Sequence, residues 1–309
     1  MKLTNRNHYP EFVVNALKNV NEKYERGEGA DISVTELISA PLLRILKKRH
    51  WDEITEDVED RMYSFWGSLG HQFIENIDSK NVIYKEQRMF FETENGWVLS
   101  GQFDVIYKVG NETVLADLKF TSKYAVKEGV RQEWQRQLNI YKYIVENSTG
   151  SFEAPVVIDR LELVAPIRDA TFLDDKIAVL PVKKFKPEKV REYIEKRVAF
   201  HVLCEDKLVA EVPECTPEER WQDPPKYAVC SKAGGKSLKN LNSQAEAEAH
   251  VKEKGKEGVW VIELRHQKNR RCEGYCSVRK FCWWWNDLQE GYITDSYSGD
   301  VPVRTKING

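Results

Sequence analysis

The sequence predicts an α/β protein: a mixed sheet flanked by helices, then a small hairpin-and-helix module and a cysteine-rich segment. Three observations predict it. Helical periodicity in residues 55–78 gives way to three consecutive strand-like runs and then to a second amphipathic helix. A further strand, strand, helix order follows up to residue 204. Beyond that point the composition shifts, with Pro213, Pro217, Pro224 and Pro225 in a loop, and this region holds five of the six cysteines. The expected division is a core over 1–204 and a C-terminal region over 205–309.

In order, residues 9–20 predict a short helix and Gly27–Ala30 a loop. Ser33-Val-Thr-Glu36 has capping-box form and starts a helix, which Pro41 interrupts before a basic helical stretch over Leu42–His50. Phe65, Leu69, Phe73 and Ile77 recur at four-residue spacing, so 55–78 is the strongest helical candidate of the N-terminal part. His71 and Glu75 share another face of it. Strands are expected over Val82–Phe91, Trp97–Tyr107 and Glu112–Phe120, the last two joined by the turn Val109–Glu112. A helix over Val130–Glu146, strands over Ile158–Ala165 and Ile177–Val182, and a helix over Pro187–Leu203 with proline in its first turn complete the core. The module is strand Lys226–Cys230, a Gly234–Gly235 turn, strand Ser237–Leu241, a helix from Ser243 to Lys254 stopped by Gly255, and strand Val259–Arg265. The tail after Gly291 is polar.

The 309 residues suffice for a substantial core, and 41% hydrophobic with 31% charged residues is ordinary globular composition. No apolar run approaches the roughly 20 residues of a membrane span, and the N-terminus has no apolar signal core, so a cytosolic protein is expected. A net charge of −2 argues against a protein that coats nucleic acid, but not against an enzyme with one basic channel. Basic clusters at Lys183–Lys196 and Arg265–Arg271 read equally well as solvated faces.

The chemistry concentrates in Gly101–Tyr141. Asp104 ends one strand, and Asp117-Leu118-Lys119 lies in the next. Hard divalent cations such as Mg²⁺ or Mn²⁺ take oxygen ligands, which Asp104 and Asp117 supply; the Leu118 carbonyl is also within reach. Such an ion acidifies water and neutralises the charge of a phosphodiester under attack. Asp117 and Lys119, two apart, emerge on one strand face, where Lys119 can hold the attacking water or stabilise the transition state. An exposed ion pair would give the same triplet. The apolar flanks of Leu115–Phe120 and the nearby Asp104 argue instead for charges retained in a buried strand by a metal. Gln137 and Tyr141 share a helical face toward this site, which Trp134 and Leu138 would also give to an ordinary amphipathic helix.

The ordered set Gly67–Glu75 (GSLGHQFIE), Gly101–Asp104, Asp117–Lys119 and Gln137-x-x-x-Tyr141 resembles the RecB-like branch of the PD-(D/E)XK nuclease superfamily, with lambda exonuclease and CRISPR-associated RecB-like exonucleases among its relatives. The N-terminal SVTELISAPLLRILKKRH and the C-terminal CEGYCSVRKFC share the resemblance, which is nearest to phage- and prophage-type proteins. It implies a restriction-endonuclease-like core, and a metal site of His71, Asp104, Asp117 and the Leu118 carbonyl. It also implies Lys119 as catalytic lysine, Gln137 and Tyr141 completing the site, and Glu75 assisting behind the ligands.

The cysteines depart from the branch's pattern. Its iron–sulfur members carry one cysteine before the core and three after it. Cys272, Cys276 and Cys282 resemble the trailing trio, but Ala40–Leu43, at the leading position, has no cysteine. The fourth thiolate falls to Cys215, ahead of Cys230 or Cys204, for a [4Fe–4S] cluster or Zn²⁺. His266 is a fourth ligand only for zinc.

The expected function is a Mg²⁺- or Mn²⁺-dependent DNA exonuclease acting on DNA ends or single strands, in recombination, repair or replication with a protein partner. It would work in a bacterial or phage-infected cell. The rivals are a nucleic-acid-binding or assembly factor that keeps the fold, and a structure-specific endonuclease. Trp221 and Trp283–Trp285 are candidates for stacking on bases, or for packing around the cysteines.

Overall fold

A computed structural model describes residues 1–19, 27–127, 129–148, 152, 154–172 and 175–293, except the Tyr63 side chain. The polar tail from 294 on, expected from the sequence, lies outside them. In chain order, the first unit holds β1 (Lys2–Thr4), α1 (Glu11–Asn19), β2 (Ile32–Ser33), α2 (Val34–Ile38), the start of α3 (Pro41–Arg49), β3 (Thr55–Asp57) and α4 (Met62–Glu75). β4 (Val82–Glu92), β5 (Val98–Val109), β6 (Glu112–Leu118), α5 (Lys123–Val126) and α6 (Gln132–Asn147) follow, then β7 (Arg160–Pro166), β8 (Ile177–Val182) and α7 (Pro187–Cys204). The second unit comprises Ile45–His50, the rest of α3 included, and the chain from Leu208 on. It holds β9 (Gln222–Asp223), β10 (Lys226–Cys230), β11 (Ser237–Leu241), α8 (Gln244–Glu253), β12 (Val261–Arg265), β13 (Lys268–Asn269) and α9 (Trp283–Gln289).

The first unit is a mixed six-stranded sheet with helices, the α/β class expected. Its spine is β5-β6-β7-β8, with β4 antiparallel along the length of β5 and β2 parallel to a short stretch of it. β6 and β7 run parallel, while the other pairs of the spine are antiparallel. Parallel neighbours need a crossover, and α6 supplies it. Gly110 at φ 59° occupies the two-residue turn between β5 and β6, where hairpin geometry favours glycine. The core forms where Leu99, Phe103 and Ile106 of β5 and Leu115 of β6 meet Leu138 and Ile144 of α6 and Ile194 and Val198 of α7. Truncating such a residue to alanine costs about 2–5 kcal/mol.

The capping box at Ser33 forms as expected: its hydroxyl accepts the Glu36 N–H, and the Glu36 carboxylate accepts the Ser33 N–H. At the other end of α2 the orphan carbonyls of Leu37 and Ser39 accept from Arg197 of α7. His201, wholly buried, is fixed as one tautomer there. Its Nδ1 accepts from Arg44 Nε at 3.2 Å, so Nε2 donates to the Leu37 carbonyl at 3.3 Å.

One helix is shorter than expected. Residues 55–78 do not form one helix; Thr55–Asp57 pairs with β1, and a 3₁₀ turn over Val58–Arg61 precedes α4. Asp57 is the reason. Its carboxylate accepts from Thr4, Arg6 and Glu59, which holds it in an extended cap conformation and its pKa down at about 2. The buried face of α4 is also not the predicted one: Leu69 and Phe73 are exposed, while Gly70 and Ile74 face inward.

In the second unit β10 is the central strand of a three-stranded antiparallel sheet between β11 and β12, and α8 covers one face with Ala247 and Val251 against Val229. Ser243 caps α8 by accepting the Glu246 N–H. No helix among the described residues is long and apolar enough to cross a membrane.

Candidate active site

Three neighbouring strands place three carboxylates in a row. The β5–β6 ladder pairs Val105 with Ala116, so Asp104 and Asp117 lie opposite each other. On the other side of β5, Lys85 pairs with Val105 and Gln87 with Phe103, so Glu86 lies opposite Asp104. Residues opposite each other in an antiparallel pair share a face. Asp104 and Asp117 are buried, 3% and 2% exposed. The Leu118 N–H donates to Asp104 Oδ2 at 2.6 Å, which leaves Oδ1 turned toward His71 Nδ1 at 3.6 Å. His71 Nδ1 also lies 2.9 Å from Glu86 Oε1.

His71 reaches the sheet because its neighbour on α4 is a glycine. A Cβ at Gly70 would stand 2.4 Å from Phe120 Cε2 and 3.1 Å from Leu118 Cδ2, so only glycine admits this approach. Gly101 serves α6 in the same way: a Cβ there would meet Tyr141 at 2.8 Å and Val34 at 2.9 Å. Tyr141 is thereby seated against β5 three residues before Asp104, and its hydroxyl accepts from Gln137 Nε2 at 2.8 Å. Lys119, just past β6, holds its ammonium 2.7 Å from Asp117 Oδ2. That ion pair is the contact the structure gives this buried oxygen.

The electrostatics follow from burial and like charge. Desolvation first, and the Asp117 charge second, push Asp104 up to about 7. Burial acts to lower the Lys119 pKa, but Asp117 and then Asp104 outweigh it and raise it, so the ammonium stays charged. His71 is raised by its hydrogen bond to Glu86, against burial and with help from Asp104. Two adjacent buried carboxylates carry more negative charge than one lysine balances. A divalent cation fits that need. Among the described residues, His71, Glu86 and Asp104 bring three ligand atoms within 4.8 Å of one another.

Asp104, Asp117, Lys119 and His71 thus converge and Leu118 joins through its main chain, while Gln137 and Tyr141 bond to each other on α6, with Tyr141 packed on Gly101. Glu75 is exposed, and its carbonyl accepts from Lys85. Glu86 was not singled out in the sequence. Its one signal is an acidic residue at the centre of a strand, and its backbone lies at φ 47°, where non-glycine residues are uncommon.

In the second unit, Cys215, Cys272 and Cys282 are buried and Cys276 is half-buried. Burial first, then the charges of Glu219, Cys282 and Cys272, raise the Cys215 thiol well above its usual value; burial and the neighbouring Cys276 and Cys282 push Cys272 to about 12. Main-chain N–H groups of Trp284 and Trp285 lower the pKa at Cys282, as that of Val278 does at Cys276, although burial raises both thiols overall. Arg220, Arg271, Arg279 and Lys47 supply positive charge around the four sulfurs. Cys230 stands apart in the module sheet beside Glu263, and Cys204 ends α7. His266 is exposed. Of the aromatics, Trp284 is buried under the Arg220 guanidinium and Trp283 donates to the Val212 carbonyl, while Trp221 packs on Tyr275.

A family model of the PD-(D/E)XK nuclease superfamily matches residues 15–283. Among solved structures, that of SSO0001 is similar over 61% of this chain and 84% of its own, at 16% identity and a TM-score of 0.43. No curated protein matches. With the matched span covering most of the chain and both aspartates and the lysine assembled at one sheet face, the chain belongs to the PD-(D/E)XK nuclease superfamily.

Proposed function

We propose that this protein is a Mg²⁺- or Mn²⁺-dependent deoxyribonuclease acting on DNA ends or single strands, with Asp104, Asp117 and the Leu118 carbonyl holding the cation together with His71. The observation that carries this reading is the pair of buried, adjacent carboxylates with a charged lysine beside one of them. The bound cation supplies Lewis acidity and a lowered pKa for water. The chain's own groups do the rest. Lys119 keeps its proton and aims it at the oxygen where charge develops. The Leu118 N–H fixes the orientation of Asp104. Gln137 and Tyr141 form a polar wall that orients a phosphate. Glu75, on the helix of His71, is kept as a remote supporting residue.

The cysteines favour a [4Fe–4S] cluster held by Cys215, Cys272, Cys276 and Cys282. The thiols are buried, ringed by cations, and two of them face main-chain N–H donors, a setting that suits an anionic cluster.

The test is cleavage of labelled single-stranded, linear duplex and covalently closed circular DNA, and of RNA, with Mn²⁺. Loss of single-stranded and linear DNA with the closed circle spared is expected. Cutting of the closed circle would make the enzyme an endonuclease. Activity that survives Asp117→Ala would remove the proposed site altogether.

A further inference from the structure

Glu86 owes its aim to a short polar chain on the same sheet face. Arg88 pairs across the ladder with Gln102, and Glu86 lies diagonal to Gln102, two residues along β4. Arg88 Nη2 donates to Gln102 Oε1 at 3.0 Å, and Gln102 Nε2 donates to Glu86 Oε2 at 2.7 Å. A guanidinium can only donate, so it must meet the carboxamide oxygen. That choice turns the NH₂ group of Gln102 toward Glu86. One Glu86 oxygen is thereby tied down, and the other is left 2.9 Å from His71 Nδ1, within the ligand group of His71 and Asp104. The backbone at Glu86 is left-handed, at φ 47°, a conformation uncommon for a residue other than glycine.

We propose that Gln102 and Arg88 are positioning residues that aim Glu86 at the divalent cation, making Glu86 a ligand beside His71 and Asp104. The inference rests on the cation-dependent reading of the site. It differs from a purely structural role in what it makes sensitive. A cross-strand brace would set the stability of the β4–β5 hairpin, whereas this arrangement sets the affinity of the site for the ion, because groups behind metal ligands fix ligand orientation.

The experiment is calorimetric titration of Mn²⁺ into the full chain without nucleic acid. Gln102→Met keeps length and removes both amide groups; it is expected to weaken Mn²⁺ binding about tenfold, with the metal-free melting temperature unchanged. Glu86→Gln weakens it at least as much, and Gln102→Met adds no further loss in the Glu86→Gln background. Arg88→Met lowers affinity in the same direction and serves if Gln102→Met does not fold. Mn²⁺ affinity unaltered by these changes, or independent losses from Gln102 and Glu86, would overturn the proposal. Since cleavage by the unsubstituted protein is read separately, that failure leaves the nuclease reading standing.

Discussion

At the scale of single residues, His201 shows what burial does to a titratable group. Desolvation first, then the charges of Arg197 and Arg44, depress it to about 4 from its ordinary 6.5. A depressed histidine leaves the folded state binding fewer protons than the unfolded state between these values. Stability is therefore full above about pH 6.5 and is lost as pH falls toward 4. A depression of that size corresponds to about 3 kcal/mol. Urea midpoints measured from pH 7 to pH 4 should fall in the unsubstituted protein, and His201→Gln should flatten that part of the curve. A curve of the same shape in both would show that His201 does not titrate in this way. His201 itself was invisible in the sequence, since nothing local marks a histidine that meets Arg44 across 157 positions. Glu86 was hidden for the related reason that its partners come from a helix and a neighbouring strand. Asp104, Asp117 and Lys119 could be read because their spacing within two consecutive strands fixes their shared face.

At the scale of elements, local signals fared best where the chain writes them locally. The Ser33 and Ser243 caps, the β5–β6 turn and the limits of β10 and β11 follow from adjacent residues. The start of α4 was misjudged because Asp57 is capped by Thr4 and Arg6, some 50 positions away, and periodicity carries no trace of that contact. The glycines of the motif segments are explained only by packing: Gly70 seats α4 on Phe120, and Gly101 seats Tyr141 of α6. Gly101→Val is expected to force these elements apart, with a cost of about 1–3 kcal/mol from overpacking. Cleavage should fall more steeply than stability, because Tyr141 and Asp104 are displaced together. Melting temperature and kcat measured on one preparation check this; an unchanged kcat would detach Tyr141 from the site.

At the scale of the whole molecule, the chain divides its candidate sites between two units: the His71, Glu86 and Asp104 group in one, and Cys215, Cys272, Cys276 and Cys282 in the other. The clustering of cysteines and the preference for Cys215 over Cys230 and Cys204 were legible in the sequence; the coordinates add that Cys215 is buried and feels the charges of Cys272 and Cys282. Cys215→Ser should release most of the iron from an anaerobic preparation and remove its broad visible absorbance, whereas Cys204→Ser and Cys230→Ser should retain both. Full iron content in the Cys215→Ser protein would strike that residue from the ligand set.

The burial that holds the Cys272 thiol at about 12 has a practical side. Alkylating reagents and oxidants attack the thiolate, the form that burial disfavours at Cys272. The apolar packing that raises the Cys272 thiol therefore also slows its alkylation and oxidation.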